Sequence, residues 1–195
     1  MKKAYNDIIE RIINSLEHDT HQSWCMPWES DKSKYSDTAK LDAQAEQVLN
    51  AYYAHEKITF TEKEQDKSYY SPSADMILLP LKKQFKSTSA YYATKCHETI
   101  HSTGEYTRCN RPTFSEYTTF RFGDVRYSKE EIIAELGACF LLSELGIDTS
   151  FAEHNTVAYL RSWLTKLNKN PNWIFRMSEP AADAVEYIFE IANKR

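Results

Sequence analysis

The sequence predicts a mainly helical α+β domain with a small sheet. Three observations lead there. Apolar residues recur at helical spacing in six separate stretches, only two short runs read as strands, and glycine is scarce (4) against tyrosine (13). At 195 residues and 42% hydrophobic content, the chain can bury one real core with an appended N-terminal piece.

Ile8, Ile9, Ile12, Ile13 and Leu16 give a first helix over about residues 4–17. It runs into "HDTHQSWCMPWES", whose proline and aromatics break it, and then into the polar, aperiodic "ESDKSKYSDTAK". The chain therefore divides into an N-terminal helix and Trp/Pro segment (1–28), a linker (29–40) and a main domain (41–195). A second helix, near 40–54, places Leu41, Ala45, Val48, Leu49 and Tyr52 on one face. "KITF" is a short strand by composition, and Met76 to Leu79 form another between a Ser-Pro turn and Pro80. "STSAYYATKCHETIHSTG" starts on Ser/Thr and ends with Gly104 where a left-handed C-terminal residue belongs. Residues 105–127 are polar and long enough for a functional loop. A helix at 129–145 is closed by Gly146, and two more amphipathic helices follow near 153–168 and 178–193.

Net charge −4 excludes a surface that is one continuous nucleic-acid footprint, though not a local basic patch. Cys25, Cys96, Cys109 and Cys139 form no C-x-x-C pair, and scattered thiols in a chain this long indicate a reducing compartment. The N-terminus lacks the apolar run of a signal peptide, and no stretch has 18 consecutive apolar residues. A soluble, cytoplasmic protein is expected, with no membrane partner.

The chemistry centres on "CHETIH", where His97, Glu98 and His101 spell H-E-x-x-H. Residues four apart share a helix face, so both imidazoles converge on one point while Glu98 sits about 100° round. Two histidines, a third protein ligand and an open position are what catalytic zinc requires, and a neighbouring carboxylate accepts the proton of the metal-bound water. The bland alternative is an incidental pair on a surface helix. Against it stands the apolar face of this helix, which implies burial and hence partners for both histidines.

The third ligand is sought in "EEIIAELGACFLL", apolar nearly all round and hence buried. Glu131 and Glu135 share one stripe of it, and buried carboxylates are costly unless paired or metal-bound. Glu131 is the preferred ligand, with Glu135 behind a histidine. Alternatively, "SKEE" is a capping box in which Glu131 reaches back to Ser128, leaving Glu135 as ligand. Glu130 is expected to point elsewhere, into solvent. Tyr70, Tyr106, Tyr127 and His154 are oxyanion-stabilising candidates by type alone, each more readily a packing or surface residue. Asp75 fixes a turn, Arg108 and Arg111 are structural before they are phosphate-binding, Cys96 is a core thiol, and His18, His21 and His55 are solvated.

"YYSPSADMILLP", "YYATKCHETIHSTGEYTRCNR", "RFGDVRYSKEEIIAELGACFLLSELGI" and "AYLRSWLTKL" resemble, in order, the C-terminal zincin-like metallopeptidase domain of the ArdC-type antirestriction proteins. The similarity runs from about Lys67 to Lys194. It implies a zincin fold with "MILLP" flanking the cleft. It also implies a divalent metal, Zn2+ or alternatively Mn2+, on His97, His101 and Glu131 (or Glu135), with Glu98 as base. Family members carry a larger N-terminal domain that binds single-stranded DNA, and "YNDIIERIINSL" with Trp24, Pro27 and Trp28 resembles only its opening. Trp24 and Trp28 are thus candidates for stacking on bases, or for an aromatic staple holding the N-terminal helix. The leading expectation is a zinc-dependent peptidase from a mobile element. The alternatives are a DNA-associated antirestriction protein with a structural or silent metal site, and a tyrosine-rich module that binds a protein partner.

Overall fold

The computed structural model describes residues 2–18, 39–117, 125–164 and 172–194. Its elements are α1 (Lys3–His18), α2 (Ala39–Glu56), β1 (Thr59–Lys63), β2 (Tyr69–Ser71), β3 (Met76–Pro80), α3 (Thr88–Ser102), α4 (Pro112–Tyr117), α5 (Val125–Glu144), α6 (Ser150–Leu164) and α7 (Asn172–Ala192). The fold is therefore mainly helical with one small sheet, as the sequence predicts. Trp24, Pro27, Trp28, Cys25, His21 and the linker up to residue 38 lie outside the described residues, as does the side chain of Tyr127.

The sheet order is β1-β3-β2, with β3 parallel to β1 and antiparallel to β2. Ile77, Leu78 and Leu79 are all buried, as a central strand covered on both faces requires. The parallel strand begins two residues later than "KITF" suggests and runs on to Lys63. Strand β2, three residues long, is an addition to the sequence reading; "YYS" is too short to show alternation.

Helix α5 is the hub. Ile132, Ile133, Leu136, Cys139, Phe140, Leu141, Leu142 and Leu145 are all buried, which explains their distribution around its circumference. It ends on Gly146 at φ 72, and the Ile147 N–H donates to the Leu142 carbonyl at 2.9 Å. This is the left-handed closure that glycine makes cheap. The helix starts at Val125, so Ser128 lies inside it, which overturns the capping-box alternative for Glu131.

Helix α3 opens on Ser87, whose Oγ accepts from the Ala90 N–H at 3.0 Å. Its other end departs from expectation. Thr103 is right-handed and Gly104 has no positive φ. A Cβ on Gly104 would instead lie 2.4 Å from Phe114 Cγ, so glycine is there for the close approach of α4. Within the expected 105–127 loop, turns from 103 to 110 lead into α4, which begins on Pro112 as first-turn prolines do. Helix α7 starts earlier than expected and runs through Pro180.

Candidate metal centre

Helices α3 and α5 cross face to face, and the crossing is close because Gly137 lies against Ile100. A Cβ at Gly137 would fall 2.9 Å from Ile100 Cγ1 and Cγ2. This lets side chains one to two turns N-terminal on α5 reach the histidines of α3.

His97 Nε2 and His101 Nε2 are 3.1 Å apart. Glu131 Oε2 lies 3.6 Å from His97 Nε2, and Glu131 Oε1 lies 3.6 Å from His101 Nε2. Among the described residues these three form the group able to hold a metal ion, with one ligand atom from each all within 4.8 Å. Ligands at about 2.1 Å from one ion stand about 3.4 Å apart in tetrahedral and about 3 Å apart in octahedral geometry, so the triangle has the right size.

The far side of each ring is equally specific. His97 Nδ1 faces Glu135 Oε1 at 3.6 Å, and His101 Nδ1 faces Glu130 Oε1 at 3.6 Å. A carboxylate behind Nδ1 favours the tautomer with its proton there, which leaves the Nε2 lone pair free for a cation. Two such lone pairs aimed at one point repel unless a positive charge lies between them. The residues therefore fit a divalent metal.

The electrostatics of the site agree. Burial acts to lower His97, but the hydrogen bond to Glu131 and the charges of Glu135, Glu98 and Glu131 carry it up to about 10. A field that holds a proton this firmly also attracts a metal cation. The two carboxylates behind the rings differ. Burial pushes Glu135 above the usual carboxylate range, with His97 pulling the other way. Burial works in the same sense on Glu130, yet Arg111 and then His101 hold it below that range.

Glu130 is the site residue that sequence reasoning misplaces. It is fully buried, not solvated. Its Oε1 and Oε2 accept from Arg111 Nη2 and Nε, and Oε2 also accepts from Thr113 Oγ1 at 2.7 Å. The sequence carries no signal for this pairing, because Arg111 lies nineteen residues before Glu130, in the turns between α3 and α4. Arg111 is likewise buried and donates to the Ile100 carbonyl at 2.8 Å. Its structural role is as expected.

Glu98 is buried on the flank of α3 facing the sheet, where Oε2 accepts the Tyr70 N–H of β2 at 2.9 Å. Of the other candidates, Tyr70 donates its hydroxyl to Asp75 Oδ1 at 2.8 Å, and Tyr106 is 76% exposed. His154 is half-buried on α6. Asp75 holds the β2–β3 turn at φ 45, and its Oδ2 pairs with Arg108. Cys96 is buried, while His18 and His55 are exposed.

Residues 44–180 match the family described as zincin-like metallopeptidase. The chain belongs to that family. It is 34% identical over 161 residues, and 36% identical over 152, to two Escherichia coli proteins named DNA primase TraC. These matches take in 80% and 78% of this chain but only 11% and 13% of theirs. Among solved structures it resembles the antirestriction protein ArdC from plasmid R388. The Mn(II)-bound form has a TM-score of 0.58 at 31% identity, covering 85% of this chain and 56% of that one. The metal-free form gives 0.55 at 30% identity, covering 86% and 56%. The zincin-like domain is thus of the ArdC type, and the chain spans little more than half of ArdC and about an eighth of TraC. Among the described residues no helix is long and apolar enough to cross a membrane.

Proposed function

We propose that this chain is a metal-dependent peptidase of the ArdC antirestriction type. His97, His101 and Glu131 would hold the ion, with Zn2+ and Mn2+ as the candidates, and Glu98 would serve as general base. The observation that carries this reading is the Nε2–Nε2–carboxylate triangle, with a buried carboxylate on the residue next to one of its ligands. A bound divalent ion supplies Lewis acidity, polarising a carbonyl and making a water easier to deprotonate. Glu98 takes the proton of the attacking water and returns it to the leaving amine. Glu135 and Glu130 keep the two rings oriented throughout. The substrate class is a peptide or protein.

A second reading keeps the antirestriction assignment but makes the metal site structural. The observation in its favour is the bond from the Tyr70 N–H to Glu98, which gives the carboxylate a purely architectural use. The similarity to an antirestriction protein and to DNA primases suits both readings.

Two variants separate them. His97→Ala should lose stoichiometric metal, measured by mass spectrometry of the purified protein; retained metal would sink the ligand assignment. Glu98→Gln should keep metal while losing cleavage of a mixed peptide library. Equal cleavage by the wild type and Glu98→Gln would remove Glu98 as base, and no cleavage by either would favour the structural reading. Single-stranded DNA is a further proposed partner, through Trp24 and Trp28, and quenching of their fluorescence by an oligonucleotide at low salt tests it.

A further inference from the structure

The turns that follow α3 bring two arginines against the end of the helix that carries His97, Glu98 and His101. They do not do the same thing. Arg108, only 3% exposed in its side chain, donates from Nη1 to the Ser102 carbonyl at 2.8 Å and to the Tyr70 hydroxyl at 3.3 Å. Its Nε donates to Glu56 Oε2 at 3.0 Å and its Nη2 to Asp75 Oδ2. One guanidinium thereby joins the last turn of α3, the last residue of α2 and the turn between β2 and β3. Tyr70 sits where those links meet. Its hydroxyl is held by Arg108 and Asp75, while its backbone N–H donates to Glu98 Oε2 at 2.9 Å. The span that Arg108 fixes, from α3 to β2, is the span the Glu98 bond must cross.

Arg111 acts on the other side of α3. It binds the Ile100 carbonyl and Thr103 Oγ1, and it clamps Glu130 with two nitrogens. Glu130 in turn faces His101 Nδ1. Both positions call for arginine, because a planar fork can serve a carbonyl and a carboxylate at once and an ammonium cannot hold that geometry.

We propose that Arg108 and Arg111 are positioning residues with separate targets: Arg108, through Tyr70 and Asp75, sets Glu98, and Arg111, through Glu130, sets His101. The catalytic meaning of the first arm rests on reading Glu98 as the base; the geometric claim does not.

The test uses the full chain and two readouts that need no substrate. Amide hydrogen exchange at Tyr70, followed by NMR on the metal-free protein, reports the bond to Glu98. Titration with Mn2+, followed by EPR, reports the histidines. Arg108→Gln should speed Tyr70 exchange by about tenfold, as expected for loss of one charge-assisted hydrogen bond, and leave Mn2+ affinity within about twofold. Glu130→Gln should weaken Mn2+ binding about ten- to a hundredfold and leave Tyr70 exchange as it was. If Arg108→Gln does not fold, Tyr70→Phe removes only the hydroxyl and should reproduce the faster exchange at its own amide. Arg108→Lys should recover part of the protection.

Unchanged Tyr70 exchange in Arg108→Gln and Tyr70→Phe would overturn the first arm. Mn2+ affinity falling equally in Arg108→Gln and Glu130→Gln would overturn the division of labour. A uniform rise in exchange along α3 and α5 would mean a merely structural role and overturn the proposal as a whole. Should the wild type cleave peptides, Arg108→Gln should lower kcat with KM little changed. Should it cleave none, the peptidase reading fails, while exchange and Mn2+ titration still decide the positions.

Discussion

Without metal, His97 is held protonated well past neutrality, up to about 10, by the carboxylates around it. The sign of the consequence follows directly. A raised folded-state value stabilises the metal-free fold below the ordinary histidine value of 6.5, and that contribution is lost as pH rises toward 10. Metal binding needs the neutral ring, so at neutral pH each ion bound must displace this proton. Mn2+ affinity should therefore rise by up to about tenfold per pH unit between 7 and 9. Calorimetric titrations at pH 7.5 in PIPES and in Tris should differ by about one proton's worth of buffer ionisation heat. Equal heats in the two buffers would show that His97 is already neutral. Residue by residue, His97, Glu98 and His101 are legible in the sequence because four-residue spacing fixes their faces before any tertiary structure is known. Glu130 is not, because its partner Arg111 lies nineteen residues away, in the turns that lead into α4. Helical angles alone assign such a side chain to solvent.

At the scale of elements, the site exists because α3 and α5 approach closely, and one glycine permits that approach. In Gly137→Ala the new methyl would meet the two γ carbons of Ile100, a stiff β-branched side chain. The substitution should gain about 1 kcal/mol in helix propensity and lose about 1–3 kcal/mol to overpacking. Thermal stability is thus a blunt readout, and metal affinity is the sharp one. Pushing α5 away from α3 lengthens both 3.6 Å separations from Glu131 to the Nε2 atoms, so Mn2+ binding should weaken. Adding Ile100→Ala should restore it by making room. If Gly137→Ala binds Mn2+ as the wild type does, the helix separation is not what sets the site. The two helices themselves are legible from periodicity. The role of Gly137 is not, since a lone glycine in a helical pattern carries no address, and Gly104 misleads in a related way: its position suggests a left-handed cap, whereas its function is to make room for Phe114.

Across the whole molecule, α1 belongs to the same hydrophobic core as the metal helices. Tyr5, Ile8, Ile9 and Ile12 are buried in it, and Arg11 pairs with Glu153 of α6 through two nitrogens, at 2.9 and 2.7 Å. The apolar stripe of α1 is plain in the sequence, but its docking partner is not, because periodicity shows that a face is covered and not by what. Helix α1 docks on both α6 and α5, and on α5 the Tyr5 ring stacks on Phe140 at 4.2 Å with the planes 8° apart. Truncating Tyr5 to alanine should destabilise the fold by about 3–5 kcal/mol, the range for a large aromatic removed from a core. Phe140 lies more than two helical turns beyond Glu131 on α5, so the ligand triangle should survive. Saturating Mn2+ should then raise the melting temperature of Tyr5→Ala by as much as it raises that of the wild type, since binding to the folded state alone stabilises by RT ln(1 + [L]/Kd), about 2.7 kcal/mol at a hundredfold excess over Kd. Two melting curves per protein, with Mn2+ and with chelator, make the comparison. A smaller metal-induced shift in Tyr5→Ala would mean that α1 supports the metal centre through α5, and that the N-terminal helix is a working part of the site.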